Sequence, residues 1–496
     1  MRVERHDYRY FPYELDLAHR ELETLLRPQA IRDVDGGFEI DRVRRPGQAQ
    51  RLVYFSGFSC DNEIIPTTQA LLESVNGNGK RQSTRYSVHG VHEYKGKFNP
   101  QVARALFNIL IARADDPPMI LDPFCGSGTT LVEAAHAGLR GVGLDSNPFA
   151  VFLANAKIAT LHASPDLLAA EARRVLTVPR PRRASAPQSG SEARAAYLAR
   201  WFDADTHSTI EGIRQRILLA DASVQPALLA LASNLLRDYS LQDPTDLRIR
   251  RRKTPPPGVP FEEQLRAAVF ALTAKLRATQ SVLGTTCTRP IAVLGDARAV
   301  VASDVSSCRF GLAITSPPYA TALPYIDTQR LSIVWLELAE PEDIPILDAL
   351  LIGSRESRGS QQGLLDEQMQ NNLGHLPDEQ WRFCVRLRDA IGDNDGFRRR
   401  AVPFLLYRYF TSMRDSFKSV RTAMTLRAPY ALVVGGNHTT LGGDRFDIDT
   451  PHHLAELACS TGWDLREMHR LQTYQRYGYH VRNAVRSEAL VLLEAR

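Results

Sequence analysis

The chain has 496 residues, and 61 lysine and arginine residues against 56 aspartate and glutamate residues give it a net charge of +5. Such a small excess excludes polyanion binding by overall charge, so any nucleic-acid contact must come from local basic patches. No apolar run approaches membrane-spanning length, and the six cysteines contain no CxxC pair, so we predict neither a membrane segment nor a metal site. We expect a soluble cytoplasmic protein with a large catalytic domain and insertions.

The N-terminal region, residues 1–82, begins with a dense group of aromatic side chains. The stretch Tyr8–Tyr13 holds three tyrosines and a phenylalanine, and helical spacing follows over Leu15–Leu26. Stacking on a nucleic acid is one role for such a group, but packing inside the protein is commoner. We therefore predict a helical, aromatic region that packs against the catalytic domain.

Residues 83–161 contain a strand, a glycine turn, a helix and a second strand. Met119–Leu121 and Gly141–Leu144 are the predicted strands, and the second is followed by Asp145. Gly126 and Gly128 permit a tight turn that a ligand can approach closely. A P-loop is excluded because threonine, not lysine, follows the second glycine. The turn also lacks the third glycine of a dinucleotide-binding fingerprint. The unit is typical of a site that holds a nucleoside, with the acid on the ribose.

Residues 162–288 form a predicted helical insertion with a strong basic run. A regular apolar face within Glu262–Leu283 predicts one long helix there. Charge runs are usually solvated surface, but the other motifs imply a polyanion partner, which favours phosphate contact. The candidate phosphate-binding residues are Arg248, Arg250, Arg251, Arg252 and Lys253.

Residues 289–338 contain a strand that ends in a double-proline loop. Leu312–Ile314 form the strand end, and Ser316, Pro317, Pro318 and Tyr319 follow after one threonine. The prolines remove backbone donors and helical freedom, so the chain leaves the sheet as a rigid loop with unpaired carbonyls. With the Ser316 hydroxyl and the Tyr319 ring, this loop could hold an exocyclic amine and stack on its base. An ordinary proline turn is the alternative.

The remaining residues complete the predicted organisation. Residues 339–400 form a second polar, helical insertion, which is the rival candidate for reading a base sequence. Residues 401–496 form the C-terminal part of the catalytic domain, with a helix over Val402–Val420 and a buried strand over Tyr430–Val434. A closing antiparallel hairpin is predicted over Val481–Leu493.

Together the glycine turn and the double-proline loop resemble those of the amino-methyltransferases that use S-adenosylmethionine on DNA bases, in the subgroup with an SPPY loop. Asp122–Thr130 resembles the cofactor turn, His92–Pro100 the segment over the methionine end, and Leu294–Arg298 the strand end whose acid reaches the adenine amine. The resemblance covers roughly residues 85–161 and 291–337, and more loosely 407–496. It implies an α/β fold with a Rossmann-like class I methyltransferase sheet and helical insertions.

The same resemblance implies the residues of the site. The implied catalytic residues are Ser316, Pro317, Pro318 and Tyr319. The implied residues of the S-adenosyl-L-methionine site are Lys97, Phe98, Asp122, Pro123, Phe124, Gly126, Gly128, Thr129, Asp145, Ser146 and Asp296. Cys125 lies inside the cofactor turn, and no Pro-Cys loop occurs at the base site, so we exclude a cysteine nucleophile.

Within this family, serine before the prolines resembles the N4-cytosine enzymes, whereas aspartate or asparagine resembles the N6-adenine enzymes. We therefore expect direct methyl transfer to N4 of cytosine in DNA after base flipping, with N6-adenine transfer as the alternative. A tRNA guanine-N2 methyltransferase and a non-enzymatic DNA-binding protein on this scaffold are weaker alternatives. Any restriction partner would be a separate chain, and the recognition sequence and oligomeric state are not readable from the sequence.

Overall fold

The computed structural model describes residues 1–61, 63–74, 82–111, 117–177, 190–246, 249–284, 288–302, 307–320, 326–355, 359–472 and 487–496. These residues form a five-stranded antiparallel sheet near the N-terminus, a seven-stranded mixed sheet and a two-stranded ribbon. Helices cover the mixed sheet, and the N-terminal sheet packs beside it through a shared apolar cluster.

The N-terminal sheet was missed by the sequence prediction, which expected only helix and aromatic packing. Its strands are four to six residues long, and the outer two are largely exposed, so they carry little of the apolar alternation that marks a strand. The strand order is β2-β3-β1-β4-β5. The elements are β1 (Arg2–Arg5), α1 (Pro12–Glu21, continued by a π-helical turn over Leu22–Leu26), β2 (Ala30–Val34), β3 (Gly37–Asp41), β4 (Phe55–Cys60), β5 (Glu63–Pro66) and α2 (Thr68–Ser74).

The mixed sheet has the strand order β13-β14-β10-β9-β6-β7-β8. Neighbouring strands from β10 to β8 are parallel, whereas β14 runs antiparallel to both of its neighbours. This is the predicted Rossmann-like methyltransferase sheet. The strands of the mixed sheet are β6 (Ile120–Asp122), β7 (Gly141–Asp145), β8 (Ile291–Leu294), β9 (Leu312–Thr315), β10 (Pro429–Gly435), β13 (Trp463–Gln472) and β14 (Ser487–Ala495). The separate two-stranded ribbon consists of β11 (Asn437–Leu441) and β12 (Asp444–Ile448).

The last strand pairs differently from the prediction. A hairpin within Val481–Leu493 was expected, but β14 pairs with β13, which precedes it by fourteen residues along the chain. Residues 481–486 lie outside the described residues, so that part of the prediction is not assessed. The long separation between the paired strands is the reason that a short hairpin pattern could not identify them.

Helices flank the mixed sheet, and none in the described part of the chain is long and apolar enough to cross a membrane. The predicted apolar face of α10 is confirmed, since Leu265, Val269, Leu272 and Leu276 are buried. The helices are α3 (Pro100–Ile111), α4 (Thr129–His136), α5 (Pro148–His162), α6 (Pro165–Thr177), α7 (Glu192–Trp201), α8 (Ala204–Leu218), α9 (Gln225–Tyr239), α10 (Phe261–Leu283), α11 (Arg330–Trp335), α12 (Ile344–Leu350), α13 (Gly359–Gln370), α14 (Asp378–Asp389), α15 (Phe397–Ala423) and α16 (Thr450–Cys459).

The first insertion packs on α11, the helix after the double-proline loop. The buried guanidinium of Arg194 in α7 donates to the carbonyls of Val334 (3.1 Å) and Trp335 (2.9 Å), at the C-terminal end of α11. The same group forms a bidentate pair with Glu211, with both distances 2.9 Å. A cation at a helix C-terminus satisfies carbonyls that lack a partner within the helix. The insertion therefore positions this part of the catalytic domain.

Candidate active site

A cavity of about 460 Å³ lies at the edge of the mixed sheet where β6, β7, β8 and β9 end. Gly126 after β6 and Pro317 after β9 both line it, so the two motifs found in the sequence form one site. The volume lies within the range of small-molecule pockets. The predicted residues in its walls are Lys97, Phe98, Pro123, Phe124, Gly126, Asp145, Ser146, Asp296, Ser316, Pro317, Pro318 and Tyr319.

The glycine turn is held by the carboxylate at the end of β7. The Gly126 amide donates to Asp145 Oδ2 and the Asn147 amide to Oδ1, each at 2.9 Å. Burial raises the pKa of Asp145 to about 6, which leaves the group largely ionised at pH 7. Gly126 has φ +50°, and a Cβ there would lie 3.4 Å from the Tyr94 ring. The turn thus keeps a cradle open beside an acid, which fits the nucleoside part of S-adenosylmethionine.

Three predicted cofactor residues lie behind the cavity, not in its walls. Asp122 is buried, and its Oδ1 accepts a 2.6 Å hydrogen bond from Thr315 Oγ1 at the end of β9. Gly128 has φ +78°, and a Cβ there would lie 2.7 Å from the Cβ of Ala154. Thr129 is the buried first residue of α4. Asp122, Gly128 and Thr129 therefore shape the turn from behind the cavity, and their assignment to the cofactor site stays a prediction.

The segment before α3 closes one side of the cavity. Lys97 Nζ donates to the carbonyls of Thr84 (2.8 Å) and His89 (3.3 Å), and burial lowers the pKa of Lys97 to about 7. Tyr94 and Phe98 line the cavity from the same segment. Lys97 fastens the segment, and the two aromatic rings offer the larger surface to a ligand.

A buried hydrogen-bond network joins this segment to α4. Glu133 Oε1 accepts from Tyr86 Oη and His89 Nε2, each at 2.7 Å, and lies 3.2 Å from His136 Nδ1. Burial lowers the pKa of His89 to about 3, so its neutral ring donates through Nε2. Metal-ligand atoms of the two histidines and Glu133 lie within 4.8 Å of one another, but each imidazole already pairs with the carboxylate, and Arg104 lies 3.8 Å from it. We therefore interpret the cluster as a structural network that holds the cavity segment in place.

The third acid of the predicted set, Asp296, is already paired. Its Oδ2 accepts from Arg298 Nε (2.9 Å) and Nη2 (2.6 Å). Because 36% of the Asp296 side chain remains exposed, a ligand amine still has access to it. Ser146 Oγ donates to the Gly295 carbonyl (3.2 Å), which ties the ends of β7 and β8 together. This wall is thus preformed.

The double-proline loop forms the opposite wall. Ser316 is half-buried, and neither its hydroxyl nor the Pro317 carbonyl has a hydrogen-bond partner among the described residues. The Pro318 carbonyl accepts from Tyr409 Oη (3.0 Å), which anchors the middle of the loop to α15. Tyr319 Oη donates to Glu488 Oε1 (2.8 Å). Ser316, Pro317 and Tyr319 all line the cavity, so the loop brings two acceptors and one anchored aromatic ring to this wall.

Several walls were not found by sequence reasoning. The aromatic group near the N-terminus was expected to pack inside the protein, with stacking on a nucleic acid as the less common role. Tyr94 and Asn99 lie in the segment His92–Pro100, which the resemblance placed over the methionine end, and no local pattern marks the others as site residues. The additional residues include Phe11, Tyr13, Tyr94, Asn99, Asn147, Leu351, Ile352, Val433, Leu471 and Glu488. Asn147 also caps α5 and donates to Gln329 Oε1 (2.6 Å), which links the cofactor side to the start of α11.

The basic run of the first insertion lies away from the cavity walls. Arg252 Nη1 donates to the Asp238 and Ser240 carbonyls at the end of α9, which satisfies that helix end, and its contact with phosphate stays a prediction. Arg250, Arg251 and Lys253 have exposed side chains and remain candidates. Arg248, the fifth candidate, lies outside the described residues.

Comparison with known proteins supports the class of S-adenosylmethionine-dependent methyltransferases. The model of the RMKL-like methyltransferase domain matches residues 90–185, a range that contains the glycine turn and Asp145. The match covers the cofactor half of the catalytic domain and does not reach the double-proline loop.

Curated relatives match over short stretches. The type II methyltransferase M.MjaII of Methanocaldococcus jannaschii is 39% identical over 79 residues, which are 16% of this chain and 14% of that protein. The tRNA (guanine(10)-N2)-dimethyltransferase of Methanothermobacter thermautotrophicus is 32% identical over 130 residues, 26% of this chain and 34% of that protein. The type II methyltransferase M.MvaI of Kocuria varians is 29% identical over 99 residues, 19% of this chain and 22% of that protein. The matches thus span about a third or less of these relatives.

Solved structures resemble the chain only distantly. TrmN from Thermus thermophilus has a TM-score of 0.35 and 11% identity, with coverage of 100% of this chain and 99% of that one. The rRNA methyltransferase aviRa from Streptomyces viridochromogenes has a TM-score of 0.28 and 13% identity, with coverage of 82% and 88%. The fold assignment rests on the strand order of the mixed sheet and not on these likenesses.

Proposed function

We propose that the chain transfers a methyl group from S-adenosylmethionine to the N4 amine of a cytosine that has been turned out of DNA. The carrying observation is the single cavity lined by both the Gly126 turn and the Ser316 loop. One side offers a nucleoside cradle with acids, and the other offers hydrogen-bond acceptors for an amine. An enzyme that transfers a methyl group from a nucleoside cofactor to an amine must bind the cofactor and the amine in one site.

The cofactor side is formed by the ends of β6, β7 and β8. Asp145 would accept hydrogen bonds from the ribose, and Asp296 would receive the adenine amine. Tyr94 and Phe98 would cover the other end of the ligand from the segment before α3. When bound, the cofactor supplies an electrophilic methyl group.

The target side orients a weak nucleophile. An exocyclic amine on cytosine has its lone pair delocalised into the ring, so the protein must align it and stabilise the positive charge that grows on nitrogen. Ser316 Oγ and the Pro317 carbonyl would accept its two N–H groups and favour that charge. The amine nitrogen would form the new bond to the methyl carbon as the bond from that carbon to the sulfonium sulfur breaks, so that S-adenosylhomocysteine leaves and the proton lost from nitrogen passes to solvent. No covalent enzyme adduct is required.

Extrusion of the base costs a few kcal/mol, and stacking on an aromatic ring can return about 1–3 kcal/mol of it. Tyr319 would serve as one such ring, because its hydroxyl is tied to Glu488 and its orientation is therefore fixed. A preformed ring loses little conformational entropy when the base arrives. The SPPY loop would thus both stack on the base and bind its amine.

A second candidate is transfer to the N2 amine of guanine in tRNA. It is favoured by the relative named tRNA (guanine(10)-N2)-dimethyltransferase, which matches over 130 residues. Against it stand two relatives named type II methyltransferases and the serine at position 316, which resembles the cytosine enzymes. Adenine N6 in DNA remains the nearer alternative.

Nucleoside mass spectrometry tests the proposal. The purified full chain would be incubated with S-adenosylmethionine carrying a deuterated methyl group and with either unmodified genomic DNA or bulk tRNA. We expect labelled N4-methylcytosine from DNA with the wild type and none with Ser316→Ala. Labelled N6-methyladenine would replace the cytosine assignment, and label only in N2-methylguanosine from tRNA would overturn the DNA proposal.

A further inference from the structure

We propose that the N-terminal sheet domain builds part of the target-base pocket, with Phe11 as a second stacking surface and Tyr13 as its support. This inference rests on the proposed function, because it concerns the subsite that receives the everted base. It assigns a role in base recognition to a domain that precedes the catalytic motifs.

The position of the two rings is the first argument. Phe11 and Tyr13 line the same cavity as the double-proline loop. Tyr13 belongs to the apolar cluster that includes Val433 of β10 and Leu471 of β13, and both of these residues also line the cavity. In the strand order, β10, β14 and β13 lie on the opposite side of β9 from β6, β7 and β8. The rings therefore lie beside the strands that flank the amine end of the site, and the same cluster also includes Ile120 of β6 and packs against Phe98.

The division of labour follows from burial. Tyr13 is 7% exposed, so it packs in the protein and offers little surface to a ligand. Phe11 is half-buried, and its ring stacks on Tyr13 with centroids 5.6 Å apart and planes at 18°. A base that enters the cavity can therefore meet the ring of Phe11, which already rests on a fixed partner. Such stacking tolerates any base, because every base has a flat π-face.

Local structure fixes Phe11. It is the residue before α1, and its amide donates to Glu14 Oε2 (2.8 Å), while the Glu14 amide donates to the Phe11 carbonyl (3.0 Å). Arg20, two turns further along α1, forms a bidentate pair with Glu467 of β13 at 2.8 and 2.5 Å. The helix is thereby fastened to the sheet strand that flanks the pocket, which keeps the ring in place before a base arrives.

The neighbouring aromatic residue Tyr10 forms hydrogen bonds within the N-terminal domain, which leaves Phe11 as the candidate stacking residue. Tyr10 Oη donates to the Tyr54 carbonyl (2.6 Å) and accepts from the His6 amide (2.9 Å), so it ties the start of the chain to the sheet domain. Tyr10 is also absent from the cavity walls. It therefore provides the matched control: an aromatic residue one position away whose substitution should not touch the base subsite.

The test compares Phe11→Ala, Phe11→Leu and Phe11→Trp with wild type and with Tyr10→Phe. For DNA methylation we expect kcat/KM to fall roughly 5- to 150-fold in Phe11→Ala, the range that corresponds to loss of one base stack. Phe11→Leu should show a similar loss, because it keeps bulk but not the π-face, and Phe11→Trp should retain activity. Affinity for S-adenosylhomocysteine, measured by calorimetry, should stay within twofold in all variants.

A second readout isolates base eversion. Placing the target cytosine opposite an abasic site removes its pairing, so the everted state no longer depends on stacking by the enzyme. We expect the Phe11→Ala defect to shrink at least fivefold on that substrate. Unchanged kcat/KM in Phe11→Ala, an equal loss of cofactor affinity, or the same defect on paired and unpaired targets would overturn the inference. A wild-type enzyme without transfer to DNA would instead overturn the proposed function and this inference with it.

Discussion

The two halves of the cavity are built in different ways. On the cofactor half, the site residues follow their own strands directly: Gly126 comes after β6, and Asp145 and Asp296 lie at or just after the ends of β7 and β8. On the target half, only the Ser316 loop follows its strand in this manner. The other walls come from the N-terminal domain, the second insertion and the last three strands of the mixed sheet.

Strand direction explains how the target half is nevertheless assembled. Val433 and Leu471 lie near the ends of β10 and β13, which run parallel to the cofactor strands. Glu488 lies at the start of β14, which runs the opposite way, so it reaches the same edge of the sheet. An edge of a mixed sheet collects the ends of parallel strands and the starts of antiparallel ones. The cofactor half can be predicted from one rule, that site residues follow their own strands. The target half can be predicted only when the pairing of all strands in the sheet is known.

The largest difference between an effect on methyl transfer and an effect on cofactor binding should come from Ser316→Ala. Removing the acceptor that would bind the amine should lower kcat by about 10²–10³-fold, the range seen when one preorganised polar group is lost from a transition-state site. Cofactor affinity should stay within twofold, because Ser316 lies on the other half. Ser146→Ala, which removes a hydroxyl from the cofactor half, is the matched control. Rapid-quench transfer assays and calorimetry together check both statements; an Ser316→Ala enzyme with weakened cofactor binding would blur the proposed division.

Asp145→Ala should produce the reverse pattern. Loss of hydrogen bonds to a charged acceptor costs about 1.5–3 kcal/mol, so cofactor affinity should fall roughly 10- to 150-fold. The variant also leaves the Gly126 and Asn147 amides without their 2.9 Å acceptors, which loosens the turn. Asp145→Asn keeps one of these acceptors and should lie between the two. At saturating cofactor, kcat should recover most of its wild-type value; a kcat that stays low would assign Asp145 to the transfer step itself.

Sequence reasoning identified the cofactor half because its chemistry lies beside its strands. The Gly126 turn and Asp145 are reachable from a pattern of strand, turn and acid, whereas Asp296 was assigned through the resemblance of Leu294–Arg298 to a strand end of the family. For Asp122, the sequence does not reveal that the side chain is hydrogen-bonded to Thr315 behind the cavity wall. Local pattern sees which residues follow a strand but not where their side chains point.

The target half could not be predicted to the same extent. Phe11 lies more than 300 residues from Ser316, and Glu488 more than 150, so no spacing rule connects them. The strands of the N-terminal sheet are short and partly exposed, and their antiparallel pairing gives no sequence motif. The position of Arg252 in a basic run likewise conceals that it caps α9. Contacts that depend on tertiary packing were the ones missed.

Asp122 lies at the seam between the halves, on the last position of β6 and bonded to the last residue of β9. Burial raises the pKa of Asp122 to about 6. Between about pH 4 and pH 6 the folded state thus holds a proton that the unfolded chain has released. The contribution of the protonated Asp122 to the free energy of unfolding is therefore full below about pH 4 and is lost as the pH rises through 6. Asp122→Asn keeps the acceptor but cannot ionise. The variant should therefore gain stability relative to wild type between pH 4 and pH 8, by about 3 kcal/mol at most.

Thermal unfolding of both proteins at pH 5 and pH 8 measures this difference. We expect the melting temperature of Asp122→Asn, relative to wild type, to be higher at pH 8 than at pH 5. Taking the difference between the two proteins cancels the titrating groups that do not interact with Asp122, whereas Asp145, whose charge also raises the pKa of Asp122, contributes to the difference. A relative melting temperature that falls with pH would mean that the Thr315 bond favours the ionised form more than burial opposes it.

The smallest expected effect concerns the surface proposed to contact DNA, and it separates the two insertions. Arg250 is paired with Asp246 at 3.2 Å with 62% of its side chain exposed, and Arg251 donates to the Arg200 carbonyl while its guanidinium lies 5.8 Å from the Trp201 ring. Both side chains remain exposed, so each guanidinium group can contact a phosphate in addition to these partners. Changing Arg250, Arg251 and Lys253 to glutamate should reduce the slope of log affinity against log salt by up to about three, roughly one per lost contact.

The matched control changes Arg398 and Arg399, in the second insertion, to glutamate, because both side chains are exposed and carry the same charge. If the first insertion contacts the backbone, only the first set should flatten the salt slope, and kcat at saturating DNA should remain at the wild-type value in both sets. A slope that changes only with Arg398 and Arg399 would transfer the contact to the second insertion. That outcome would place the DNA contact in the late part of the chain that also supplies Leu351 and Ile352 to the cavity, and it would leave the first insertion with the role that Arg194 gives it, which is to hold α11 in place.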